Sequence, residues 1–156
     1  MTKFSRMIIC LVVILAIFSC GGSGNGESES TESIPQPRHA TSEDDPMANK
    51  GIGPIKSVVL NETVDHEMAE EGQEVYNQYC TACHKPTEKF IGPAPKDILK
   101  RRSPEWIMNM ILNPEVMVKE DPIAKKLLVE FNMAPMAKQP LTEDQARQIL
   151  EYFRTL

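Results

Sequence analysis

The stretch that most constrains this chain is Cys80-Thr81-Ala82-Cys83-His84. Two thiols three positions apart, followed at once by an imidazole, form a C-x-x-C-H signature, which is the pattern of covalent c-type haem attachment. The spacing lets each thiol reach one vinyl group on the same porphyrin edge and form a thioether. His84 then turns under the ring to bind iron from the proximal side. A thioredoxin-like redox pair is the first rival, but that motif belongs beside a βαβ pattern, and no alternating β-branched run flanks Cys80. Structural zinc is the second, and it needs four ligands. After His84 the chain has no further Cys or His. A fold that accepts the motif must enclose a large flat apolar group, so the rest of the sequence is read as its housing.

The 156 residues leave room for one domain with a tail, and 41% hydrophobic with 25% charged residues is ordinary for a globular protein. The averages conceal unlike parts. Residues 1–19 read as an export signal, with Lys3 and Arg6 ahead of the apolar run from Met7 to Phe18. That run is too short for a spanning helix, which needs about 20 apolar residues. Its end, Ile17-Phe18-Ser19-Cys20, resembles the lipobox of bacterial lipoproteins, which implies that Cys20 becomes an acylated N-terminus and anchors the chain to a membrane. Residues 20–49 are rich in Gly, Ser, Glu, Asp and Pro and read as a disordered acidic tether. Residues 50–65 turn apolar again, with Ile52, Ile55, Val58, Val59 and Leu60, and read as an ordered extension laid against the domain at 66–156. From 66 onward there are fourteen acids against twelve bases. No clustered basic face is present beyond Lys100-Arg101-Arg102, so a nucleic-acid partner is not expected.

Within the domain the periodicity predicts a first helix over Glu67 to Cys80, which delivers the thiols at its end. Gly72 in its middle costs about 1 kcal/mol against Ala, so a close crossing is expected there, with Tyr152 or Phe153 as the contact. Ser103-Pro104-Glu105 starts a second helix. It carries Trp106, Ile107, Met110 and Ile111 on one face, and Asn113-Pro114 stops it. Asp121-Pro122 opens another, with Ile123, Leu127, Leu128 and Phe131 inward, and Thr142-Glu143-Asp144-Gln145 is a capping box before the last. Pro93 leaves a free carbonyl able to accept the His84 imidazole N–H, which would orient the ring. Trp106 has two readings, plain core or an indole that edges the haem and donates to a propionate. Arg101 and Arg102 are either solvated or paired with the second carboxylate. Met133 and Met136, in the loop Asn132-Met133-Ala134-Pro135-Met136-Ala137, are the candidates for the sixth iron position.

Together Gly72-x-x-x-Tyr76-x-x-x-Cys80-x-x-Cys83-His84, Gly92-Pro93, a Met loop and Leu141-Thr142-Glu143 resemble a class I monohaem cytochrome c over residues 66–156. The resemblance implies an all-α domain of four or five helices around one covalently bound haem c and its iron. Its N- and C-terminal helices would cross near a glycine and an aromatic, and Pro93 O would accept from His84. In similar short bacterial cytochromes the ligand commonly stands five residues before the Leu or Val that precedes the last helix cap, so the resemblance implies Met136 as the distal ligand, with Met133 as the alternative. Ala137 stands where the family often has proline. The long 94–131 region is similar to lipoprotein cytochromes associated with respiratory reductases, including the nitrous-oxide reductase system.

The expected role is electron transfer, without enzymatic turnover, on the periplasmic side of a bacterial membrane, anchored at Cys20 and serving redox protein partners of a respiratory chain. Two rivals are a haem-based sensor or peroxidase-like enzyme with an open sixth position, and a fixed haem subunit of a reductase complex.

Overall fold

A computed structural model describes residues 45–156. The signal segment, Cys20 and the tether through residue 44 lie outside the described residues. Five α-helices run in the order α1 (His66–Tyr79), α2 (Pro104–Leu112), α3 (Pro114–Glu120), α4 (Pro122–Glu130) and α5 (Glu143–Phe153), with a 3₁₀ turn at Ile98–Lys100. There is no strand among the described residues. None of the described helices is long and apolar enough to cross a membrane.

Helices α1, α2, α4 and α5 each begin where a side chain satisfies an orphan amide of the first turn, and α3 begins on a proline without such a cap. Asp65 Oδ1 accepts from Met68 N at 3.1 Å and starts α1, one residue before the predicted position. Ser103 Oγ accepts from Trp106 N at 3.1 Å before α2. Thr142 and Gln145 form the reciprocal capping box of α5, as the sequence predicts. Pro104, Pro114 and Pro122 each occupy the first turn of α2, α3 and α4, where a missing N–H costs nothing. Helix α3 was not anticipated. Asn113-Pro114 signals a stop, yet the same proline is well placed to begin the next helix, and it does both.

Helices α1 and α5 cross at Gly72. A Cβ added there would stand 2.0 Å from the Gln148 carbonyl oxygen, so the two backbones touch. The expected contact of Gly72 with Tyr152 or Phe153 is thereby corrected. The glycine meets main chain at Gln148–Ile149, and the aromatics meet Tyr76 one turn further on, with ring centroids 5.4 Å (Tyr152) and 5.7 Å (Phe153) away. Around this crossing Ile149 and Leu150 are fully buried, and Ile107, Ile111 and Met117 extend the core into α2 and α3.

Residues 50–65 lie along the outer side of α2 and α3 as a strap without regular structure. Its amides and carbonyls are taken up by side chains. Asn109, fully buried, receives Ile55 N at 3.0 Å and donates from Nδ2 to Lys50 O and Ile55 O, both at 2.9 Å. Val58 N donates to Glu105 Oε1, Ile52 N to Met117 Sδ, and Asp65 N to Glu151 Oε1. The tether boundary at 49 needs correction. Residues 45–48 form a turn, and Asn49 is buried, its Nδ2 donating to Asp121 Oδ2 at 2.7 Å and its carbonyl accepting from Ser103 Oγ at 2.6 Å.

Candidate functional site

One apolar cavity gathers most of the residues singled out from the sequence. Its wall includes Cys80, Cys83, His84 and Pro93, the inner faces of α2 and α4, the Met136 segment and the α5 residues Ile149 and Phe153. Alternation around α2 explains the placement. Glu105 and Asn109 hold the strap, while Trp106, Ile107, Met110 and Ile111 line the cavity.

At the end of α1 the chain tightens. Cys83 N and His84 N both donate to Cys80 O, at 3.1 and 2.9 Å, which sets the two thiols and the imidazole on one short turn. The thiols are not bonded to each other. Burial pushes the Cys80 thiol up to about 11, with the charge of Cys83 adding to it, so at neutral pH it is a protonated thiol. Gly92 N donates to Cys83 O at 2.8 Å and folds the following loop back over the motif. A Cβ at Gly92 would come within 2.4 Å of His84 Cε1, so only glycine lets the backbone lie against the imidazole. His84 Nδ1 and Pro93 O are 2.8 Å apart. A carbonyl only accepts, so Nδ1 carries the proton and Nε2 keeps its lone pair for a metal.

The two methionines part company. Met136 is half-buried in the cavity wall. Met133 is 61% exposed and takes no part in that wall. Asn132 and Met133 have left-handed φ of 56° and 60°, and Met133 N donates to Leu128 O at 2.8 Å. Met133 therefore belongs to the turn that closes α4, and that turn sends Ala134, Pro135 and Met136 back along the cavity.

Trp106 also lines the cavity, and of its two readings the donation to a propionate is the one the structure does not support. Its Nε1–H donates to Asp121 Oδ1 at 3.1 Å, and Asp121 also receives Ala124 N and Asn49 Nδ2, both at 2.7 Å. In the sequence Asp121 only opens a helix with Pro122, and no local signal reveals its second role across fifteen positions. Arg101 and Arg102 reach the wall as well. The Arg101 guanidinium donates to Ala94 O and Lys96 O, and that of Arg102 lies 5.3 Å from the Trp106 ring centroid. Tyr76 belongs to the signature that carries the resemblance, but no sequence signal marks its hydroxyl. It is 1% exposed, lines the cavity, and among the described residues its hydroxyl is a buried side-chain oxygen with no partner. Such an orphan costs about 1–3 kcal/mol unless something fills the cavity and accepts it.

The donor set fits a haem: two thiols at the attachment spacing, an imidazole with a free Nε2, a thioether, and a glycine cradle in an otherwise apolar wall. No group of three or more His, Cys, Asp or Glu able to hold a bare metal ion exists among the described residues, so the zinc reading finds no support.

A small helical domain with a C-x-x-C-H turn opening onto such a cavity has the architecture of a c-type cytochrome. The family model for cytochrome c matches residues 69–156, and the chain belongs to that family. Among solved structures, a cytochrome c from Rhodothermus marinus is 48% identical, covering 66% of this chain and 88% of that one, with a TM-score of 0.64. An engineered cytochrome c from the same organism, Rma TDE, is 43% identical, covering 74% of this chain and 96% of that one, with a TM-score of 0.66. A structure of Rma TDE bound to a carbene intermediate is 44% identical over the same shares, with a TM-score of 0.63. No curated protein matches the chain. Membership of the family means one covalently attached haem c with its iron, and a role as an electron carrier working through that haem.

Proposed function

We propose that this chain is a membrane-tethered carrier of a respiratory chain, with Cys80 and Cys83 as the thioether anchors, His84 Nε2 as proximal ligand and Met136 Sδ as distal ligand. When bound, the haem iron supplies the one-electron couple. The chain's own residues fix how it is held. Pro93 O, 2.8 Å from His84 Nδ1, locks the imidazole tautomer and strengthens Nε2 as a donor. Gly92 keeps that ring in place. The α2 and α5 side chains exclude water, which favours the less charged reduced state, as does a thioether ligand.

The observation that carries the reading is that His84, with Nε2 free, and Met136 line one apolar cavity from which Met133 is absent. Anchoring at Cys20 on the periplasmic side, redox protein partners, and delivery to a terminal reductase such as nitrous-oxide reductase are supported by the lipobox-like segment and by the resemblance of the 94–131 region. Partner contacts are expected to be small and transient. The acidic tether raises the local concentration of the carrier near its membrane partners.

Optical spectra of the exported protein test the ligand set. Loss of the near-infrared Met-to-iron band in Met136→Ala, with its retention in Met133→Ala, is the expected outcome. Retention in Met136→Ala, or ready carbon monoxide binding by the reduced wild type, overturns it. Cys20→Ser is expected to release the protein from membranes, and continued sedimentation with them rejects the anchor.

A further inference from the structure

Six large apolar side chains stand exposed among the described residues, and four of them, Phe90, Ile91, Val129 and Met133, fall in two short segments that Lys89 joins. Lys89 Nζ lies 4.2 Å from the Phe131 ring centroid and 3.7 Å from Glu130 Oε1, so the loop of Phe90 and Ile91 meets the end of α4. Single exposed apolar residues are ordinary on a protein surface, whereas a cluster marks a contact site. This cluster borders the mouth of the cavity: Cys83, Ile91, Ala134, Pro135 and Ala137 both line the cavity and are exposed.

Charge is sorted about the same mouth. No Asp or Glu lines the cavity. The acids of α1, from Glu67 to Glu74, precede Cys80 by at least six residues, which sets them back from the motif by about 9 Å or more along the axis. Residues 61–84 hold six acids and no Lys or Arg, whereas residues 85–141 hold ten bases against seven acids. At the rim of the cluster stand Lys85, Lys89, Glu88 and Glu130, with Lys138 on the Met136 segment. Lys89 takes up Glu130, and Lys85 Nζ lies 5.1 Å from the Phe90 ring centroid. The face is therefore apolar at its centre and weakly basic at its rim.

We propose that this face, centred on Phe90, Ile91, Val129 and Met133, docks a redox protein whose contact surface is apolar at its centre and lined with carboxylates at its rim. The inference rests on the carrier reading. Across the contact one electron passes from ferrous haem to an oxidised centre of the partner, leaving ferric haem and a centre reduced by one electron. The separation of acidic and basic segments turns an acidic partner toward the mouth. A small apolar centre lets it leave quickly, as a shuttle requires.

The test mixes ferrous holoprotein in stopped flow with respiratory membranes of the cells that make it, and separately with hexacyanoferrate(III), a small anionic oxidant. The Phe90→Ser/Met133→Ser double variant should be oxidised by membranes about tenfold more slowly than wild type. Its potential and its rate with hexacyanoferrate should be unchanged, because a small ion needs no apolar contact. Lys85→Glu should slow both reactions. Wild-type rates with hexacyanoferrate should fall with added salt, although the net charge of the chain is -5. Val59→Ser, which alters an 84% exposed residue of the strap, should match wild type. A double variant as fast as wild type, a Val59→Ser as slow as the double variant, or a hexacyanoferrate rate that rises with salt overturns the proposal and leaves the carrier reading standing. So does a defect that disappears once protein and membranes are solubilised in detergent, since the face then meets lipid. A wild type oxidised by hexacyanoferrate and not by membranes overturns the carrier reading, and this inference with it. If the double variant does not mature, Val129→Ser is held to the same outcomes.

Discussion

The α1/α5 crossing and the strap along α2 hold the same domain together by opposite means. At the crossing, Gly72 brings two backbones into contact and the buried side chains Ile149 and Leu150 beside it are apolar, with the Gln148–Glu71 hydrogen bond at the exposed rim, so the joint is made chiefly by shape. Along the strap, a segment with no ladder of its own has its amides and carbonyls satisfied by Glu105, Asn109, Asn113 and Glu151. There, shape is secondary and the joint is made by hydrogen bonds. The lesson is that a residue reading as an ordinary surface polar can be as deeply committed as a core leucine, once an irregular segment depends on it.

Breaking the crossing should cost most. Gly72→Ala sets a methyl group against the Gln148 carbonyl and forces the helices apart. A loss of about 3 kcal/mol is expected, at the upper end of overpacking penalties, measured as a lower denaturation midpoint of the holoprotein. Asn109→Leu tests the strap. The volume is roughly kept, but Ile55 N, Ile55 O and Lys50 O lose their partner. About 2–3 kcal/mol should be lost, because each buried group left unpaired is costly, and hydrogen exchange at Ile55 should accelerate. If Asn109→Leu is neutral, the strap is a passive cover and the contrast collapses.

Glu151 joins the two regions, since it sits on α5 and holds Asp65 N. Burial alone would raise its carboxyl, but the Asp65 amide and the Arg147 and Arg154 guanidiniums hold it below its ordinary value of 4.5. A carboxyl depressed in the folded state binds protons more readily once unfolded. Its contribution is therefore complete above about 4.5 and disappears as pH falls through the lower folded value. Glu151→Gln should cost about 2 kcal/mol at neutral pH and flatten the acid limb of the stability profile. A profile parallel to wild type would show that the carboxylate charge is irrelevant. The smallest effect belongs to Thr142→Ala. Loss of the α5 cap should cost about 1 kcal/mol, read as a modest shift in melting temperature, with the cavity spectra unchanged.

The same contrast explains which features were legible. Cys80, Cys83 and His84, the α5 capping box and the need for a close approach at Gly72 depend on residues a few positions apart, and sequence spacing carries them. The His84 to Pro93 bond spans nine positions and was still within reach, because a proline carbonyl next to a glycine is a local feature. Asn109 with Ile55 is separated by 54 positions, and Glu151 with Asp65 by 86, so no periodicity announces them. The face of Trp106 is legible from the helix period, but the partner of its N–H is not: spacing leaves core and cofactor edge both open, and Asp121 stands fifteen positions away. Helix α3 escaped notice because seven residues are too few to establish a period.

Between Pro104 and Glu130 three helices follow one another with a single residue at each joint, Asn113 and then Asp121. Each of those residues ends one helix and caps the next, so neither boundary can move without disturbing its neighbour. Chain length in this run is consequently inelastic. An inserted residue would separate the two duties of Asn113 or Asp121 and rotate the following helix by about 100°, turning Met117 or Ala124 out of the interior. Variation in length among relatives should accumulate instead in the loops at 85–97 and 132–141, where no residue serves two helices.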